Sequence, residues 1–187
     1  MSFHLLPMTM VLLAALLLSA SLTDLRSHRI PNGLVLVGIL LAVAVHASAL
    51  ALGTLPMAGP AVWAPLAGLA TGFAVLLPLY VMGAMGAGDV KLMSMVGAFM
   101  GPQPVMIATL YTFLAGGLLS LAVMLSRGVA VQTLANLRFL LVDWFLQASS
   151  GQGARLSPLQ TTAARLPYAV AIALGSGMAL LGSVGKP

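Results

Sequence analysis

Carboxylates are scarce enough in this chain to be read one at a time. Its 187 residues hold three aspartates, Asp24, Asp89 and Asp143, and no glutamate. Asp24 opens DLRSHRIPNGL, residues 24–34, and Asp89 stands inside GAMGAGDVKLM, residues 83–93. Both occur where an apolar run meets a short polar stretch. Two carboxylates brought together repel, so one keeps its proton while the other stays ionised. Such a pair can take a proton from an attacking water and hand one to a carbonyl or a leaving amine, which is aspartic-protease chemistry. The proton belongs to the pair, so neither acid has a fixed role.

The surrounding composition decides what solvent these acids meet. Of the chain, 60% is hydrophobic and 6% charged, with a mean hydropathy of +1.09. A soluble domain carries roughly a quarter charged residues, so lipid must be the solvent here. Cysteine is absent, which removes disulfides, thiolate nucleophiles and Cys-ligated zinc. The expected fold is all-α, a polytopic membrane helix bundle of about six transmembrane helices. The apolar runs cover 5–23, 34–52, 61–82, 90–101, 104–125 and 166–184, against the ~20 residues that cross a hydrocarbon core. The fourth run is short.

The first run reads as a retained helix and not as a secretory signal, because its positive charges follow it, in DLRSHR, instead of preceding it. With the N-terminus outside, Arg26, Arg29, Lys91, Arg127, Arg138, Arg155 and Arg165 all fall on the cytoplasmic side, and only Lys186 falls outside. Asp24 and Asp89 then reach the same membrane face at the same depth. Asp143 lies in VQTLANLRFLLVDWFLQ, where Arg138 and Asp143 within an apolar pattern indicate a helix near 131–147 lying in the cytoplasmic interface. Headgroup contact explains that acid without chemistry.

Each motif also has a plain structural reading. Asp89 precedes a helix and can serve as its N-cap. Asp24 can pair with Arg26 or Arg29, although a carboxylate near a helix C-terminus meets the negative end of the dipole and an acid at a membrane edge is a functional candidate. Ile30 before Pro31 favours extended backbone, and Asn32 then makes a good cap for the second helix. Gly86 and Gly88 leave the backbone before Asp89 bare, so the loop can take unusual angles or admit a substrate strand. Lys91 reads as a positive-inside anchor, with orientation of substrate or lipid phosphate as its functional counterpart. His46 packs inside the second helix, while His4 and His28 sit at membrane edges. GLATG in the third run and AGG in the fifth suit close helix packing, and the twelve methionines suit gap filling. With few acids and scattered histidines no metal is expected. The net charge of +5 faces anionic lipid and implies no nucleic acid.

DLRSHRIPNGL together with GAGDVKLM, residues 86–93, resembles the type IV prepilin peptidases, which are G-x-G-D intramembrane aspartic proteases. RLPYAVAIALG, residues 165–175, is similar to the segment opening that family's last helix. The resemblance implies that Asp24 and Asp89 are the catalytic pair, with Gly86, Gly88, Lys91, Pro31 and Asn32 near the substrate. They would remove a short basic leader from a prepilin or pseudopilin at the cytoplasmic face of the inner membrane, without a cofactor and in company with other pilus-assembly proteins. The larger family members add an N-terminal cytoplasmic domain with paired cysteines and also N-methylate the product. Residues 1–187 instead resemble the short, peptidase-only form of Flp-type (tight adherence) pilus systems, a single integral-membrane peptidase domain with no methyltransferase-type domain.

Two other classes of reading stay open. A small transporter or a non-catalytic assembly factor would use Asp24 and Asp89 as a proton relay or as helix caps, but transporters commonly show two similar halves with midplane sites, and no internal repeat is visible. A G-x-G-D protease acting on another substrate is a further alternative, against which IPN, residues 30–32, argues.

Overall fold

A computed structural model describes residues 5–126, 128, 138, 139, 142, 146 and 168–184. Helix is the only regular secondary structure among those residues. The helices are α1 (Leu5–Ser27), α2 (Asn32–Ala51), α3 (Ala64–Val81), α4 (Ala87–Met100), α5 (Pro102–Ser126) and α6 (Tyr168–Val184). The expected surface helix near 131–147 and Asp143 lie outside the described residues, save for Arg138, Phe139, Val142 and Leu146, which are helical and exposed.

α1, α2, α3 and α5 are each long and apolar enough to cross a membrane. α4 is not: its 14 residues rise about 21 Å, short of a ~30 Å hydrocarbon core. It compensates by position. Every residue from Leu92 to Met100 is buried, and α4 touches all five other described helices. A helix that is buried all round needs no polar face, so its apolar run marks the axle of the bundle. Met93, Met95 and Met100 are each 1% exposed or less, the flexible filling expected of them.

Close approach is achieved by removing side chains. A Cβ on Gly68 of α3 would strike the carbonyl oxygen of Gly97 of α4, and a Cβ on Gly97 would strike that of Gly68. One turn on, a Cβ on Gly72 would lie 2.5 Å from the Met93 carbonyl oxygen. GLATG thus supplies the small-xxx-small face that brings two backbones together. α4 stops at Gly101, whose φ of +83° suits glycine and ends a helix cleanly. Proline can then open α5 at Pro102, where a missing N–H costs nothing.

α1 shows how the bundle aims a polar group. Thr9, Leu13, Leu17, Ala20, Ser21 and Asp24 are its buried residues, recurring every three or four positions along one stripe. Leu18, Leu22 and Leu25 on the other side are more than half exposed, as a lipid-facing surface requires. Asp24 therefore continues the inward stripe. In α2 the inward stripe carries His46, 5% exposed, whose Nε2 donates to the Ala61 carbonyl at 3.0 Å, a packing and tying role.

Candidate active site

Asp24 and Asp89 are both buried, at 7% and 9% exposure. Each sits at the N-terminus of a helix, though only Asp89 sits at its own. Asp24 lies near the C-terminal end of α1, where the dipole disfavours an anion, yet its Oδ2 accepts the Ala169 N–H from the first turn of α6 at 3.2 Å. The positive end of α6 thereby offsets the negative end of α1. Ser21, three residues earlier on the same stripe, donates to the Ala169 carbonyl at 3.2 Å. One peptide position of α6 is thus gripped on both sides by α1. Arg26 and Arg29, the alternative partners for Asp24, lie exposed.

α1 ends just beyond. His28 takes the left-handed conformation, φ +49°, and donates its N–H to the Asp24 carbonyl at 2.8 Å. The chain turns through Ile30 and extended Pro31 into α2. Here one expectation is corrected. Asn32 does not cap α2; Pro31 holds the cap position with no side-chain hydrogen bond, and Asn32 is already helical. Its Oδ1 instead accepts Lys91 Nζ at 3.0 Å, tying the start of α2 to the start of α4.

Asp89 occupies the third helical position of α4, not the cap itself. Its Oδ2 accepts the Gly86 N–H at 3.2 Å. This is half of a capping box; the reciprocal half needs a cap side chain, which glycine lacks. The paired glycines also differ from expectation, since neither has a positive φ. They are small because space is short. A Cβ on Gly88 would lie 3.3 Å from Ile30 Cβ, and one on Gly86 would lie 3.2 Å from Asp89 Oδ2. The Ile30 turn and the head of α4 are therefore pressed together, bringing DLRSHRIPNGL and GAGDVKLM to one end of the bundle.

Asp89 lies ahead of the apolar run of α4, outside the four spanning helices. Burial, and then the charge of Asp24, push its carboxyl up to about 6 from an ordinary 3.8, against the opposing Gly86 N–H. Asp89 therefore keeps its proton to a higher pH than an ordinary aspartate. A buried pair of this kind can move protons to and from a bound polar group.

The same end carries a cleft of about 300 Å³. Leu36 and Ile39 of α2 face Leu69 and Phe73 of α3 across it, and Asn32 and Lys91 close one end. α2 and α3 touch each other only thinly while both pack on α4, so α4 forms its floor.

The residue that sequence reading missed is Ala169, which acts through its backbone N–H and so leaves no signature in side-chain type. Its only trace is its place within RLPYAVAIALG.

No curated protein and no solved structure matches the chain. A family model does: residues 11–121 match the type IV leader peptidase family. That span is more than half of the chain and includes Asp24, Asp89 and the whole of α2, α3 and α4. The chain, with four helices long and apolar enough to cross a membrane, belongs to the type IV leader peptidase family.

Proposed function

We propose that the chain is an aspartic endopeptidase that removes the short basic leader of type IV prepilins, with Asp24 and Asp89 as its catalytic pair. The observation that carries this reading is the burial of two of the chain's three acids at one end of the bundle, where burial first and then the charge of Asp24 raise the Asp89 carboxyl. The clustering of positive residues on the same side supports a site at the cytoplasmic face of the inner membrane. In this reading the substrate is a Flp-type pilin precursor or a pseudopilin. Other pilus-assembly proteins would receive the product.

In the mechanism, the pair holds one proton. The ionised carboxylate takes a proton from water as its oxygen attacks the scissile carbonyl carbon, and the protonated carboxyl gives its proton to the carbonyl oxygen. Collapse of the tetrahedral species returns a proton to the departing amine, leaving a leader carboxylate and a new amino terminus. Ala169 N–H holds Asp24 in place, and Gly86 N–H does the same for Asp89. Because an intact helix hides its peptide bonds, the substrate must be unwound at the cleavage point, beside Gly86 and Gly88.

The test is co-expression with a pilin precursor, reading the pilin N-terminus by mass spectrometry and checking that each variant reaches the membrane. Wild type and Asp143→Asn should trim the leader, whereas Asp24→Asn and Asp89→Asn should leave it whole. Normal trimming by either of the latter would overturn the reading.

A further inference from the structure

The cleft between α2 and α3 takes no part in the proton transfers above and is lined by neither acid, yet its polar end is built from the starts of α2 and α4, the elements that follow Asp24 and carry Asp89. Lys91, at its polar end, shares the start of α4 with Asp89 but points to another side of that helix, and Asn32, which holds Lys91, follows the turn that leaves Asp24. Resting on the peptidase reading, and taking the precursor to carry an apolar helix after its basic leader, we propose that this cleft seats that helix along α4, so that the unwound chain passes Lys91 and crosses the start of α4 to the two carboxylates. Three features carry it.

First, the cleft is open where a membrane-embedded helix would arrive. Leu36 and Phe73 on its rim are 58% and 42% exposed, and its floor is the buried helix α4. Second, its length suits the task. From Asn32 to Ile39 the cleft runs about 10 Å along α2, two helical turns, which admits side chains spaced at i, i+3 or i+4, and i+7 from a docked helix. Third, charge disfavours the rest of this face as the holding surface for a basic precursor. Asp24 and Asp89 are buried, while among the described residues beside them the exposed charges are Arg26, Arg29 and Lys91, all positive. Attraction to a basic leader is therefore weak, and apolar contact must hold the substrate. A lipid tail would also fit the apolar walls, but only a peptide continuing beyond Lys91 places an amide at the acids.

The absence of cysteine makes a direct test available in the full chain. Leu36→Cys and Phe73→Cys are placed in an Asp89→Asn background in vesicles, with a precursor carrying single cysteines along its apolar helix. Disulfides should form at precursor positions recurring every three or four residues. Leu114→Cys on α5, also exposed, should form none. In the active enzyme, Leu36→Trp should raise KM for the precursor at least about tenfold with little change in kcat. Leu36 is exposed, so the larger ring fits without disturbing the core.

Cross-links scattered equally between Leu36→Cys and Leu114→Cys would overturn the proposal while leaving the peptidase reading intact. So would an unchanged KM in Leu36→Trp accompanied by lost binding of phosphatidylglycerol in vesicles of that lipid, which would make the cleft a lipid site. If the wild type fails to cut the precursor, both readings fall together.

Discussion

A buried carboxylate is expensive unless something answers its charge, and the two acids here are answered differently. Asp24 takes a backbone N–H from a helix 145 positions away; Asp89 takes one three residues before it. Both were legible in the sequence as rare acids at apolar boundaries. What answers Asp24 was not, because a main-chain N–H belongs to every residue but proline. Ser21→Ala should cost about 1 kcal/mol of stability and lower kcat more than it raises KM, since it loosens the segment that holds Asp24; thermal unfolding in detergent and steady-state cleavage read the two effects. Asp89 gives a pH signature. Its folded carboxyl keeps a proton up to about 6, whereas the unfolded one loses it near 3.8. The folded state therefore binds more protons between those values, so stability should fall as pH rises from about 4 to 6 and level off above. Asp89→Asn should flatten that slope in a pH series of unfolding midpoints.

Among the elements, α4 shows most clearly where sequence reading succeeds and where it stops. Its shortness was visible in the 90–101 run, but a short apolar run fits a partial span as well as a buried core. Only packing distinguishes them, and packing places α4 at the centre. The small residues of GLATG indicated close approach without naming the partner, which is the Gly97 region. Asn32 failed as a cap because its side chain had a better partner in Lys91, 59 residues on, a contact no local rule foresees. Gly68→Ala and Gly97→Ala should each destabilise by about 1–3 kcal/mol, since the added Cβ meets backbone that cannot rotate aside. Gly117→Ala on α5, where a Cβ meets nothing within 4 Å, should be neutral or stabilising by up to about 1 kcal/mol. Equal losses at all three sites in thermal unfolding would refute the close-packing account.

At the scale of the whole molecule, the bundle divides its surface by solvent. Apolar side chains cover the long helices, while Arg26, Arg29 and Lys91 gather at the end that holds the acids. All-helical architecture followed from composition and run length, because lipid leaves the backbone few ways to satisfy itself. The convergence of two distant motifs at one end followed from counting helices, since odd and even crossings return the chain to a known side. Membrane-impermeant thiol reagents should label Leu55→Cys, in the uncharged turn before α3, from outside. Ala84→Cys, in the exposed loop ahead of Asp89, should react only after the membrane is opened.

The central claim is that Asp24 and Asp89 act as one unit, and the most direct measurement is a double-mutant comparison on purified enzyme in vesicles. Cleavage rates for Asp24→Asn, Asp89→Asn and the double variant would be set against wild type. Residues that share a proton lose their function together, so each single variant should fall by about 10³-fold or more and the double should fall no further. A double variant far slower than either single one would show two independent contributions and contradict the shared pair.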